Sequence, residues 1–299
     1  MTGAPTARTA PRDVPSGRPA AVPTPQPGDP RLARLAVNQM TVRSWGVRDL
    51  VQGCLRAGIP AVGLWREPVA EAGLSAAARW VRDAGLRVSS YCRGGFLTGA
   101  DRAAALDDNR RAVDEAAELG AACLVMVVGG LGAHGRDLPG ARARVADALA
   151  ELAPYAAERG VRLGLEPLHP MFCADRAVLS TLGQALDLAE TLPGAGVVVD
   201  AYHVWWDPQV AEQIRRAGAA HRIVSFQTCD WTLPLPADVL EGRGMPGDGH
   251  VDLRALRTAV DAAGYTGDIE VEIFNADVWA ADPDDVIATI ARRHVQHVL

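Results

Sequence analysis

Short apolar runs punctuate this chain, and four of them stop on a polar side chain able to hold a metal ion. Glu166 follows Val161-Arg162-Leu163-Gly164-Leu165, and Asp200 follows Val197-Val198-Val199. Gln227 follows Ile223-Val224-Ser225-Phe226, and Glu272 follows Ile269-Glu270-Val271. Runs this short and this rich in β-branched residues predict strands, and stretches with helical spacing separate them. The pattern predicts strands over residues 35–38, 60–65, 86–92, 123–128, 162–166, 197–200, 223–227 and 269–274. It predicts helices over 47–56, 75–84, 102–119, 140–158, 182–191, 208–217, 253–263 and 284–297. A glycine closes several helical stretches, Gly58 and Gly120 among them, where a left-handed residue ends a helix.

Strands alternating with helices imply βαβ units and a parallel sheet. Eight such units predict an α/β fold, a single (β/α)8 TIM barrel over residues 31–299. An open doubly wound sheet is the runner-up, weakened because no GxGxxG follows the first strand. Residues 1–30 are rich in Pro and Ala without a continuous apolar stretch, which predicts a flexible tail rather than a secretory signal. In a closed barrel the carboxyl ends of the strands converge on one mouth. Glu166, Asp200, Gln227 and Glu272 would then share a pocket, and oxygen ligands of this kind suit a hard divalent cation such as Mg²⁺ or Mn²⁺.

Composition narrows the chemistry. A net charge of −6 and a pI near 5.7 argue against a phosphate-backbone surface for nucleic acid. No apolar run approaches a membrane span. Every Lys/Arg position is arginine, which excludes a Schiff-base aldolase, a pyridoxal-phosphate lysine and a P-loop lysine. Five scattered cysteines without a CxxC pair fit a reducing, cytoplasmic compartment and small buried side chains.

Several polar residues sit where a barrel mouth is expected. Glu166 opens Glu166-Pro167-Leu168-His169-Pro170, a rigid corner good for holding a ligand; the plainer reading is a salt bridge at the rim. His169 either contacts substrate or caps the loop. Asp200 ends a Val-Val-Val run, where it is costly to bury unless paired or coordinated, and it also suits an N-cap. His203, three residues on, is placed to bond a substrate oxygen or to orient a ligand. Glu270 and Glu272 alternate onto one side of their strand, with Glu270 a layer deeper and a candidate partner for an arginine. Arg243, in the long loop Cys229–Val251 between the seventh and eighth strands, is a candidate for a substrate hydroxyl, carboxylate or phosphate, against a solvated surface arginine. Trp65-Arg66-Glu67, Tyr91-Cys92-Arg93 and Gly129-Gly130 follow predicted strands and would line the mouth. Trp205-Trp206 forms either a pocket wall or core.

Together these segments resemble the xylose isomerase-like TIM-barrel superfamily, a group of sugar isomerases and epimerases, from about Leu35 to the C-terminus. The resemblance rests on the strand-end Glu166, the Asp-x-x-His pattern of Asp200 and His203, the Arg-x-x-Pro-Gly turn from Arg243 to Gly247, and the closing Gly-x-x-x-x-Glu from Gly267 to Glu272. It implies one divalent ion held by Glu166, Asp200 and Glu272 with a histidine from the seventh strand. It implies that Glu166 and Glu272 act as acid and base on opposite faces of the substrate, and that His203 and Arg243 contact substrate oxygens. The chain departs at the seventh strand, where Gln227 replaces the histidine. Either Gln227 supplies a neutral oxygen, or the ion is held weakly, or Asp230 or His250 reaches in. Mn²⁺ or Mg²⁺ is the expected ion, with Co²⁺ or Zn²⁺ as further candidates.

The expected activity is a metal-dependent isomerase or epimerase, acting on a ketose, keto-sugar or related polyol by taking the α-proton through an enediolate. Elimination by a lyase or dehydratase shares that first step and is the alternative. A multi-zinc endonuclease-like barrel and a metal-free binding protein are further readings. The expected partner is a small carbohydrate, with no nucleic acid or membrane, and a homo-oligomer is a candidate assembly.

Overall fold

A computed structural model describes residues 23–132 and 135–299. Eight parallel strands close into a barrel in the order β1-β10-β7-β6-β5-β4-β3-β2. They are β1 (Leu35–Asn38), β2 (Ala61–Trp65), β3 (Arg87–Gly95), β4 (Leu124–Val127), β5 (Leu163–Leu165), β6 (Gly196–Asp200), β7 (Ile223–Thr228) and β10 (Ile269–Val271). Between β7 and β10, β8 (Asp230–Trp231) and β9 (Arg243–Gly244) pair antiparallel as a small ribbon over the mouth. Closure removes the open-sheet alternative. The predicted tail falls largely on residues 1–22, which lie outside the described residues.

The eight predicted helices are all present, the longest being Leu138–Glu158 and Arg102–Leu119. Gly58 and Gly120 take left-handed φ values of 69° and 64° at helix ends, which a β-carbon would disfavour. Three short helices escape the pattern, Arg66–Ala72, Ala201–Val204 and Ala276–Ala280. Each follows a strand at the mouth and spans seven residues or fewer, too short for a helical period to show.

Most of the core lies between the barrel and its helices, with Leu35, Leu64, Leu124, Leu149 and Ile290 fully buried. Inside the barrel, Cys92, Cys123, Val125, Val198 and Val224 form a second, smaller cluster. Small residues there leave room for polar side chains. Gly63 is one, since a β-carbon on it would stand 2.4 Å from a carboxylate oxygen of Glu270.

The ladder slips at three places. Val62 pairs Val88 but Gly63 pairs Ser90, and Val197 pairs Ile223 but Val198 pairs Ser225. Cys92 pairs Val125 while Gly94 pairs Met126, leaving Arg93 outside the ladder. Each is a bulge, which bends the strand and re-aims a side chain.

Candidate functional site

The four polar residues that end apolar runs converge at the carboxyl end of the barrel. Glu166 follows β5, Asp200 and Gln227 lie near the ends of β6 and β7, and Glu272 follows β10. All are buried, as are His203 and Arg243. Ligand atoms of Glu166, Asp200 and His203 lie within 4.8 Å of one another. Glu272 stands outside that trio; its Oε2 accepts from Arg243 Nη1 at 3.0 Å. The same Nη1 donates to Asp200 Oδ2 at 2.9 Å, so one guanidinium bridges two carboxylates. Asp200 is also an N-cap. Its Oδ1 accepts from the Tyr202 N–H at 2.8 Å, while Oδ2 takes the Arg243 bond, and the residue lies behind the cavity lining.

Arg243 reaches the centre from the ribbon rather than from the barrel. Asp230 shapes the loop that carries it, accepting backbone N–H bonds from Trp231, Gly247 and Val251. Asp230 is thus committed to the loop and His250 is exposed, so neither reaches in to replace the missing histidine.

Beneath the pocket lies a polar layer that the sequence reading assigned differently. Among the described residues Glu270 pairs with no arginine. It accepts instead from neutral donors: Asn38 Nδ2 at 2.6 Å, Ser89 Oγ at 2.6 Å, Ser90 Oγ at 2.9 Å and Gln227 Nε2 at 3.2 Å. The bulge in β3 explains why two consecutive serines both turn inward. Asn38 in turn accepts from Trp65 Nε1 at 3.0 Å. Gln227 thereby has its amide fixed by the network: Nε2 is spent on Glu270, while Oε1 is buried with no partner.

His203 faces donors on both sides. Nδ1 accepts from the His169 N–H at 3.2 Å, and Nε2 lies 3.1 Å from Arg243 Nη2. A neutral imidazole accepts at only one nitrogen, so a ligand that draws Arg243 aside would relieve the conflict. Burial, then Arg243, holds the His203 pKa well below its usual value, which keeps the ring neutral.

The carboxylates are shifted the other way. Burial pushes Glu166 well above the usual range, and Asp200 and Glu272 add to the shift. Burial lifts Glu272 to about 8, with Asp200 and Glu270 adding and Arg243 opposing. Asp200 and Glu270 are raised as well, burial leading in each. Four buried carboxyl groups face one buried guanidinium, an imbalance that a divalent cation would relieve. The unpartnered Gln227 oxygen and the Glu166–Asp200 pair fit such an ion.

A cavity of about 200 Å³ opens here, lined by Glu166, His203, Gln227, Arg243, Glu272 and Trp65. Phe96, Val125, Val127, Leu168, Leu240 and Phe274 give it apolar walls, and Arg93 and Arg176 stand in its lining. His169 does not line it; its Nδ1 accepts from the Met171 N–H and caps the turn Pro170–Phe172. Trp205 and Trp206 are not in the lining either, and Trp206 Nε1 donates to the His203 carbonyl. The sequence reading did not single out Arg176, Leu240 or the strand-four valines. Only the parity of β4 could have flagged Val125 and Val127, two residues apart on one face. A larger cavity of about 580 Å³ lies at the opposite end of the barrel, where Arg34 and Arg87 are already paired with Asp261 and Asp268.

Comparison with known proteins agrees with the barrel fold. The chain is 34% identical over 185 residues to a 3-dehydroshikimate dehydratase of Pseudomonas aeruginosa, a match covering 59% of this chain and 27% of that protein. It is 27% identical over 157 residues to an inosose isomerase of Bacillus subtilis, covering 51% and 54%. The chain thus spans about a quarter and about half of these curated relatives. Both relatives are enzymes by name. A crystal structure of a Sinorhizobium meliloti 1021 protein superposes with a TM-score of 0.87 at 49% identity, covering 89% of this chain and 98% of that one. The family model described as xylose isomerase-like TIM barrel matches residues 51–294. The chain belongs to the xylose isomerase-like TIM-barrel family.

Proposed function

We propose that the protein is a divalent-metal-dependent isomerase or epimerase of a ketose, keto-sugar or related polyol, acting by proton transfer next to a carbonyl. The observation that carries this reading is the pair Glu166 and Glu272, both buried in one cavity beside an unpartnered Gln227 oxygen. Glu166, Asp200, Gln227 and Glu272 would hold the ion; Mn²⁺ or Mg²⁺ fits the oxygen set best, and Co²⁺ or Zn²⁺ is the alternative. When bound, the ion supplies Lewis acidity that polarises the substrate carbonyl.

The chain's own residues do the rest. Glu166 and Glu272 leave strands three steps apart around the ring, so they approach a substrate from different sides. One carboxylate takes the α-proton and the other returns it: to the same carbon for epimerisation, to the neighbouring carbon for isomerisation. His203, neutral, and Arg243, permanently charged, meet the substrate oxygens where negative charge develops. The apolar walls exclude water around that charge. Trp65 forms one wall while its indole N–H is committed to Asn38.

Elimination is the second reading, favoured by the dehydratase relative. Incubation in D₂O with Mn²⁺ and a panel of ketoses, inososes and keto-acids separates the two. Deuterium in an isomeric product supports proton return, whereas loss of water supports elimination. Glu272→Gln is expected to lower turnover by at least about a hundredfold with the far-ultraviolet circular dichroism unchanged. Full activity in that variant would remove Glu272 from the mechanism.

A further inference from the structure

Two of the charged groups in the cavity lining have no work in the scheme above. Arg93 is the bulged residue of β3, set outside the ladder between Cys92 and Gly94. Its guanidinium lies 4.3 Å from the Phe96 ring centroid and 5.9 Å from that of Trp65. Among the described residues it makes no hydrogen bond and no ion pair. Burial pulls its pKa below the ordinary value against the pull of Glu67, and the like charge of Arg176 adds to the lowering.

Arg176 enters the lining from the loop after β5. The β-bridge between Gly129 and Ala177 fixes that loop against the chain leaving β4. Its one carboxylate contact among the described residues is to exposed Asp175, with Nε 3.5 Å from Oδ2, and that Nε has no hydrogen-bond partner. By contrast, Arg66, Arg87, Arg110 and Arg216 each sit on a carboxylate at hydrogen-bond distance. Two guanidinium groups with donors to spare in one cavity lining, each adding to the other's positive field, suit an anion that bridges them.

We propose that Arg93 and Arg176 form an oxyanion subsite, so that the substrate of this barrel carries a carboxylate or a phosphate. The inference rests on the reading that this cavity is the substrate site. The bulge aims Arg93, the aromatic rings hold its plane, and Arg176 closes the other side. The reacting carbon lies toward Glu166, and the anion toward the two arginines.

Calorimetric titration of the Mn²⁺-supplemented protein tests this without turnover. Quinate is compared with its methyl ester, and fructose 6-phosphate with fructose. At least one anion is expected to bind about tenfold or more tightly than its neutral counterpart. The pair that shows the preference identifies the carboxylate or the phosphate as the source. Arg93→Met and Arg176→Met should each reduce that preference, and Arg93→Lys should restore part of it. Equal binding within both pairs, no binding of either anion, or a preference that survives both methionine substitutions together would overturn the proposal. An inactive protein that keeps the preference would remove the isomerase reading alone. An active one indifferent to charge would remove the subsite alone.

Discussion

At the scale of single residues, the sequence pointed to the polar strand ends more clearly than to their partners. An aspartate or glutamate after an unbroken apolar run stands out because burying it is costly, and Glu166, Asp200 and Glu272 all lie in the pocket region. Which donor meets which acceptor was not legible. Glu270 resembled a deep ion-pair member, yet its donors come from β1, β3 and β7, and no spacing along the chain connects Asn38, Ser90 and Gln227 to it. A different buried group offers a prediction free of the site. His294 is fully buried, and a backbone contact from the Arg31 segment only partly offsets that burial. Burial lowers its pKa from 6.5 to about 4, with Arg257 adding to the shift. A lowered folded value means that the unfolded chain binds the proton first as pH falls. The stability tied to this residue is therefore intact above pH 6.5 and is lost as pH drops toward 4. The loss amounts to about 3 kcal/mol. His294→Phe should flatten that part of the acid limb in urea titrations across pH, and an unchanged limb would contradict it.

At the scale of elements, the alternation of apolar strand and amphipathic helix was enough for the count, the order and the closure. Boundaries went astray where backbone geometry, not hydrophobicity, decides. β3 runs on to Gly95 through a bulge, and β10 stops at Val271 as the Ile273 N–H leaves the ladder for the Thr41 hydroxyl. Slips of this kind leave no mark on period-two patterning. The fit of β2 against β10 is tight at one point. Gly63 leaves the space that Glu270 fills, and Glu270 is held by four hydrogen bonds, so it has nowhere cheap to go. Gly63→Ala is expected to cost about 1–3 kcal/mol in denaturant unfolding. A cost below about 0.5 kcal/mol would mean that the polar layer rearranges freely.

At the scale of the whole molecule, the fold puts its surplus of buried negative charge at one end, where a single buried guanidinium from the β8–β9 ribbon answers it. An ion bound there couples the barrel strands to one another. Mn²⁺ at about a hundred times its Kd should stabilise the native state by roughly 2.7 kcal/mol, and chelation should reverse the gain. Melting curves with and without the ion check this, and identical curves would count against a metal site. No helix among the described residues is long and apolar enough to cross a membrane. The bulge at Arg93 has a consequence for how such a barrel changes its diet. The residue belongs to a strand, so its position is fixed, yet it takes no part in the ladder, so its identity is not constrained by pairing. If Arg93 selects substrate charge as proposed, that preference could drift by point mutation at the rim while the carboxylates below stay untouched.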